Sequence, residues 1–110
     1  MQSSPNIANQ MSFLSLYDRM GGYKWVSNIV DSVYKELESK GFFEKNEKNK
    51  QDQKFWVTKK LGGPDTLVGN ENLWERGGDW RSAVKKSVKE AGGKEEEAEE
   101  VRKSLERNEE

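Results

Sequence analysis

Four pairs of adjacent glycines interrupt this chain and limit where its helices can extend. The pairs are Gly21-Gly22, Gly62-Gly63 (followed at once by Pro64), Gly77-Gly78 and Gly92-Gly93. Glycine adopts the left-handed conformation that ends helices without steric cost, and proline cannot continue a helix. The breaks therefore predict a series of short helices, with the third pair inside an irregular connection over residues 65–79.

Apolar residues between these breaks recur at the spacing of one helix face. The clearest stripe predicts a second helix, closed by Gly41, and its members are Val26, Ile29, Val30, Val33, Tyr34 and Leu37. A first helix with Ser12 as N-cap carries Phe13, Leu16, Tyr17 and Met20. A third helix carries Phe55, Trp56, Val57 and Leu61, and a fourth carries Trp80, Ala83, Val84, Val88 and Ala91. No segment alternates with a period of two, so the predicted fold class is all-α.

Polar or charged segments lie at both ends of the predicted helical domain and within it. Residues 1–11 are expected to form a flexible tail, residues 12–93 the domain, and residues 94–110 a charged C-terminal helix. Residues 44–54 are all polar and indicate a solvated loop with a charged first helical turn. Residues 72–75 are expected to form one helical turn within the later connection.

The C-terminal helix and one tryptophan are the candidate interfaces. The helix has a seam of Ala98, Val101 and Leu105 that is too narrow to fold alone, so it must lie on the domain or on a partner. Val101 and Leu105 are therefore candidate interface residues, and a solvated, fraying tail is the alternative. Trp25 lies on the flank of the second helix. Tryptophan is favoured at interface hot spots, although a half-buried core position also explains it.

Composition excludes several functional classes. The 110 residues contain no histidine and no cysteine, which rules out disulfides, thiol or histidine catalysis and the usual zinc ligands. The net charge of −1 argues against nucleic-acid binding, and no apolar run approaches the roughly 20 residues of a membrane span. The N-terminus lacks the features of a secretory signal. With 32% hydrophobic residues the core is lean, and we expect a binding or structural protein rather than an enzyme.

The order of short motifs resembles one protein family. SLYDRMGG is followed by DSVYKEL, then GFF, then KKLGGPDTLVG and a last amphipathic helix. This order is similar to that of group I truncated haemoglobins, and the likeness covers roughly residues 14–91. The resemblance implies a two-over-two globin-like helical fold. Its fold-defining positions here are Gly21, Gly22, Gly62, Gly63, Pro64 and Gly69.

The resemblance also implies a haem pocket, but its iron ligand is missing. Tyr34 matches the family's distal tyrosine, although core packing alone also explains it. The family's haem-binding histidine lies seven residues after the glycine that matches Gly69, and that position is Arg76. Arginine stays protonated and offers no lone pair to iron. Leu67 replaces the tyrosine of the same motif.

The porphyrin space is therefore expected to be collapsed or filled. Tyr34, Leu67 and Arg76 then mark a vestigial pocket with no cofactor. Trp56 and Trp74 are the candidates for filling it, and ordinary core packing is the alternative for both.

The leading functional hypothesis is a haem-free, globin-like accessory or structural subunit of a larger assembly. A protist mitochondrial respiratory complex or ciliary microtubule structure is the kind of assembly meant, with other protein subunits as partners. The mitochondrion is the favoured location, over the cilium or cytoplasm. Two alternatives stay open. One is an oxygen- or nitric-oxide-binding haemoglobin with a non-histidine ligand such as Tyr34. The other is a haem-free sensor or ligand carrier that uses the vacated pocket.

Overall fold

The computed structural model describes residues 14–41, 47–65, 71–76 and 79–106. Within them it contains five α-helices: α1 (Leu16–Met20), α2 (Tyr23–Ser39), α3 (Glu47–Lys60), α4 (Trp80–Glu90) and α5 (Glu95–Glu106). A 3₁₀ helix, Leu73–Arg76, lies between α3 and α4 and confirms the helical turn predicted there. These ranges contain no strand, so the all-α prediction is confirmed for the part of the chain described. The two-over-two globin arrangement stays a prediction.

Helix α2 is the centre of the packing. It contacts α1, α3 and α4, while α5 packs against α4 and α3. The six residues of its predicted stripe are all buried, none more than 2% exposed. Burial of a Val, Leu or Ile side chain stabilises a fold by about 1.5–3 kcal/mol. The stripe therefore makes α2 the main hydrophobic support of the domain.

Helix α1 begins at Leu16, so the prediction that Ser12 starts it is wrong. Ser15 is the N-cap, because its Oγ accepts a hydrogen bond from the backbone N–H of Asp18 at 3.1 Å. The Ser15 hydroxyl in turn donates to Asp18 Oδ2 at 3.0 Å. This reciprocal pair, a variant of the capping box, was the sequence signal for the true start. Ser12 and Phe13 lie outside the described residues.

The two glycine motifs of the resemblance pack directly against each other. Tyr17 N donates to Leu61 O at 2.9 Å, which joins α1 to the end of α3. A methyl group at Gly62 would lie 2.8 Å from Ser15 Cβ, and Gly62 has a φ of +92°. A methyl group at Gly63 would lie 2.7 Å from Thr58 Cγ2 and 2.8 Å from the Tyr17 ring. Glycine is therefore required at this junction by close approach as well as by backbone conformation.

The other predicted helix breaks either end helices in the structure or lie outside the described residues. Gly21 and Gly22 have φ values of 127° and 78° and end α1, and Pro64 follows α3 as expected. Gly92 has a φ of 100° after α4. Several predicted features lie outside the described residues: the tail 1–11, Phe42 and Phe43, Leu67, Val68, Gly69, Gly77 and Gly78.

The C-terminal helix lies on the chain's own core. Ala98, Val101 and Leu105 are 0%, 1% and 3% exposed. Val101 and Leu105 are therefore covered by the domain itself, which is one of the two placements predicted for this seam, and their role as interface residues stays a prediction. Helices α4 and α3 cover this seam. The apolar pattern of a single helix cannot show which surface will cover it. In α4, Ser87 is buried, whereas Ala91, expected on the core face, is an exposed C-cap.

A continuous row of alternating charges joins the exposed edges of α4 and α5. Lys89 and Lys85 both pair with Glu95, at 2.6 and 3.5 Å, and Lys85 also pairs with Glu99 at 2.8 Å. Arg102 bridges Glu99 and Glu106 at 2.6 and 2.7 Å, and Arg81 closes the row on Glu106 at 2.9 Å. We call these seven residues the ionic ladder. Isolated exposed pairs contribute little, but a connected network fixes the register of two helices.

Acid should weaken the ionic ladder. Hydrogen bonds from Lys85 and then Arg102 lower the pKa of Glu99 from its ordinary 4.5 to about 2, and Lys89 lowers the pKa of Glu95. Because the folded pKa is the lower one, the stabilisation is complete above about pH 4.5 and is lost as the pH falls toward 2.

Urea unfolding followed by circular dichroism at pH 6 to pH 2 tests this acid effect. The triple variant Glu95→Gln, Glu99→Gln, Glu106→Gln should show a smaller acid-dependent loss of stability than the natural chain. Glu96→Gln, on the same helix but outside the ladder, is the matched control. Equal acid dependence in the triple variant and the natural chain would contradict a stabilising ladder.

Candidate functional site

Tyr34 lies inside the domain within a cluster of aromatic rings. Its side chain is 2% exposed, and its ring meets the Trp74 ring edge-on, with 6.0 Å between centroids and 63° between planes. Trp74 in turn lies 6.0 Å from the Trp80 ring at 33°. We call Tyr34, Trp74 and Trp80 the aromatic cluster. Edge-on ring pairs at this separation are favourable beyond the area that they bury.

The surroundings of Tyr34 keep its phenol neutral. Burial raises its pKa to about 12, and the negative charges of Glu38 and Asp52 act in the same direction. The Lys50 ammonium lies 6.0 Å from the centre of the ring, where a cation is attracted by the aromatic face. The raised pKa means that the phenol remains protonated throughout the physiological range.

A buried polar contact holds the turn that carries Trp74. Gln53 is fully buried, and its Nε2 donates to Asn72 Oδ1 at 2.8 Å. The Leu73 N–H donates back to Gln53 Oε1 at 2.8 Å, and the Trp74 N–H donates to Asn72 Oδ1 at 3.1 Å. We call Gln53 and Asn72 the polar latch. It holds the backbone of the 3₁₀ helix against α3 and so places the Trp74 indole against Tyr34.

Gln53 is the main residue that sequence reasoning missed. It falls in the polar segment 44–54, whose composition predicts a loop and one helical turn, whereas α3 already begins at Glu47. The available signal was spacing. Gln53 precedes Trp56 by three residues and Val57 by four, so all three share one helix face. A polar residue on a buried face must find hydrogen-bond partners, and here the turn provides them.

Two hydrogen-bond donors on this turn are buried without a protein partner. They are Trp74 Nε1 and Asn72 Nδ2. An indole N–H and an amide NH₂ donate hydrogen bonds and have no lone pair suited to binding a metal. These two groups can therefore donate hydrogen bonds to a neighbouring group, but they cannot coordinate a metal ion.

The structure brings together only part of the pocket predicted from the resemblance. Tyr34 lies against the turn that ends at Arg76, two residues after Trp74. The Arg76 side chain, Leu67 and Gly69 lie outside the described residues, so the prediction for them is untested. Of the two tryptophans expected to fill the porphyrin space, Trp74 contacts Tyr34. Trp56 is buried at 7% exposure, with the Lys60 ammonium 5.7 Å from its ring centre.

The Tyr34 ring is in contact with an indole, and its phenol is protonated. Within the described ranges, no group of three or more histidine, cysteine, aspartate or glutamate residues is placed to hold a metal ion. The contacts that the structure shows in this interior are ring packing and hydrogen bonds.

Trp25 remains a candidate interface residue. Its side chain is half-buried and packs against the core together with Tyr17 and Met20. Leu14, which is 41% exposed, precedes α1 at the same end of the chain. A half-buried indole satisfies the packing explanation and still leaves part of its surface for a contact, so its interface role stays a prediction.

Comparison with known proteins adds no relative to this picture. Neither the scan against protein-family models nor the search of curated proteins gives a match to this chain. No helix in the described ranges is long and apolar enough to cross a membrane. The likeness to truncated haemoglobins therefore rests on the glycine motifs and their spacing.

Proposed function

We propose that this protein is a haem-free, globin-like accessory or structural subunit of a larger protein assembly. A protist mitochondrial respiratory complex or a ciliary microtubule structure is the kind of assembly that we have in mind. The chain would act through protein contacts and not as an enzyme. The observation that supports this proposal most is the Trp74 indole packed edge-on against Tyr34, because an indole against the tyrosine that matches the family's distal tyrosine is what a filled pocket would require.

The aromatic cluster also weighs against the two alternatives. A haemoglobin that used Tyr34 as its ligand would need a phenolate or an accessible phenol oxygen, but burial raises the pKa of Tyr34 to about 12. A ligand carrier would need an interior space beside Tyr34. Trp74 is 0% exposed in that place, held by the polar latch. Both alternatives would require the 3₁₀ helix to move.

The assembly part of the proposal rests on composition and on the α1–α2 corner. A chain with 32% hydrophobic and 35% charged residues has a lean core and gains from additional burial against a partner. Trp25 is the side chain best suited to such a contact, since tryptophan is enriched at interface hot spots. Its neighbours at the corner, Tyr17 and Met20, are also only partly buried.

Native size in a lysate tests the assembly. Size-exclusion of lysate from cells that naturally make the protein should show it in a species much larger than its own 12.7 kDa. Trp25→Ala should move at least part of it to the monomer position, whereas Lys24→Ala, the exposed neighbouring residue, should not. A single species of monomer size, unaffected by either change, would contradict the proposal.

A further inference from the structure

Backbone N–H groups fix the orientation of both side-chain amides in the polar latch. The Leu73 N–H donates to Gln53 Oε1 at 2.8 Å, and the Trp74 N–H donates to Asn72 Oδ1 at 3.1 Å. Because a backbone N–H can only donate, the atom that accepts in each amide must be its oxygen. Gln53 Nε2 also donates to Asn72 Oδ1, at 2.8 Å. The Asn72 Nδ2 group is therefore not engaged in the latch, and turning the amide over cannot engage it.

The Trp74 indole N–H is in the same situation on the same turn. Trp74 is 0% exposed, and both Trp74 Nε1 and Asn72 Nδ2 are buried with no hydrogen-bond partner among the described residues. A buried donor without an acceptor destabilises a fold, and native proteins avoid such groups almost everywhere. Two of them, two residues apart on a turn that the polar latch fixes, indicate a bound acceptor.

Buried side-chain oxygens on the neighbouring helices do not supply this acceptor. Glu38 Oε2 on α2 and Thr58 Oγ1 on α3 are also buried without a hydrogen-bond partner, so neither of them receives the two N–H groups. The acceptor must come from a molecule that binds at the turn.

The charges near the aromatic cluster disfavour an anion in this role. Burial is the largest cause of the raised pKa of Tyr34, and the negative charges of Glu38 and Asp52 add to it. The Lys50 ammonium, 6.0 Å from the centre of the Tyr34 ring, offsets only one of these two charges. Since the Trp74 indole contacts the same ring, an anion beside it would be both buried and repelled. The acceptor is therefore neutral.

We propose that one ordered water molecule binds at this turn and accepts hydrogen bonds from Trp74 Nε1 and Asn72 Nδ2. Buried waters typically make about three hydrogen bonds to polar groups that would otherwise have no partner, and globular proteins hold on the order of one per 27 residues. The water links the side chains of the two residues whose backbone the polar latch already holds. This inference does not depend on the proposed assembly role.

Water-selected NMR of the ¹⁵N-labelled natural chain tests the site without any substitution. The Trp74 indole proton and the Asn72 amide protons should both receive magnetisation from a long-lived bound water. In the rotating frame this transfer has the opposite sign to chemical exchange with solvent, so the two processes are distinguished. The half-buried Trp25 indole is the control and should show no long-lived water.

Two results of that experiment would overturn the inference. One is the absence of a long-lived water at both groups. The other is a Trp74 indole proton that resonates far upfield of its usual position without a water contact, because the N–H would then point at the face of a neighbouring aromatic ring.

Trp74→Phe tests whether the two groups share one water, because it removes the indole N–H and keeps an aromatic ring. In the folded variant the long-lived water contact of Asn72 Nδ2 should be lost, since the water loses one of its two donors. Trp25→Phe is the matched control and should leave that contact unchanged. An undiminished contact in Trp74→Phe would overturn the shared site.

A crystal structure of the natural chain decides the question if Trp74→Phe does not fold. One water oxygen within about 3.2 Å of both Trp74 Nε1 and Asn72 Nδ2 would support the inference. Two separate waters, or none, would overturn it.

Discussion

Trp74→Ala should lower the free energy of unfolding by about 3–5 kcal/mol, the usual range for removing a buried tryptophan. Trp74 is 0% exposed and contacts both Tyr34 and Trp80, so its removal opens a space at the centre of the aromatic cluster. Urea unfolding followed by circular dichroism measures the change. The half-buried Trp25 is the matched control, and Trp25→Ala should cost clearly less.

A second readout ties this loss to Tyr34. Burial is the largest cause of the raised pKa of Tyr34, so water admitted by Trp74→Ala should bring that pKa from about 12 back toward 10. Ultraviolet titration of tyrosinate in the folded variant detects the shift, with Trp25→Ala again as control. A Trp74→Ala chain as stable as the natural one, with an unchanged titration, would show that Trp74 does not seal the interior.

Gly62→Ala should destabilise the fold by roughly 2–5 kcal/mol, because it combines a strained backbone with a steric clash. Gly62 has a φ of +92°, and the new methyl group would lie 2.8 Å from Ser15 Cβ. Gly63→Ala brings only a clash, with Thr58 and the Tyr17 ring, and should cost about 1–3 kcal/mol. Gly92→Ala brings only strain, at a φ of +100° with open space, and should cost about 1–2 kcal/mol.

A double variant isolates the contact between the two glycine motifs. Ser15→Gly removes the Cβ atom that Gly62→Ala would strike, and replacing an N-cap serine by glycine costs only a few tenths of a kcal/mol. In the Ser15→Gly background, Gly62→Ala should therefore cost measurably less than it does alone. Thermal and urea unfolding of the four chains measure the coupling. Additive effects would mean that the motifs do not press on each other.

The main helices could be predicted because apolar periodicity and glycine breaks depend only on residues close together in the sequence. The stripe from Val26 to Leu37 is a periodic pattern, and its six members are buried as the period requires. Gly21-Gly22 and Gly62-Gly63 end helices by backbone conformation, which needs no knowledge of the rest of the fold. Where two residues could each act as the N-cap, the start of the helix is harder to predict. Ser15 rather than Ser12 caps α1, because the Asp18 carboxylate three residues later completes the cap.

The features that were missed depend on distant partners. Gln53 is buried only because Asn72 and Leu73 return to it from 19 and 20 residues away. Val101 and Leu105 were recognised as an apolar seam, but which surface would cover them is a property of α3 and α4. Likewise, the sequence offered Trp56 and Trp74 as candidates for the space beside Tyr34, but the choice of Trp74 depends on the geometry of the 3₁₀ helix that brings its indole to Tyr34.

We propose that the interior of this chain is filled by protein and does not take up haem. Absorbance titration of the purified chain with hemin tests it most directly. We predict no sharp Soret band that saturates at stoichiometric haem, and an unchanged spectrum in Tyr34→Phe. A sharp Soret band that saturates at one haem per chain and is lost in Tyr34→Phe would show that the interior takes up haem through Tyr34.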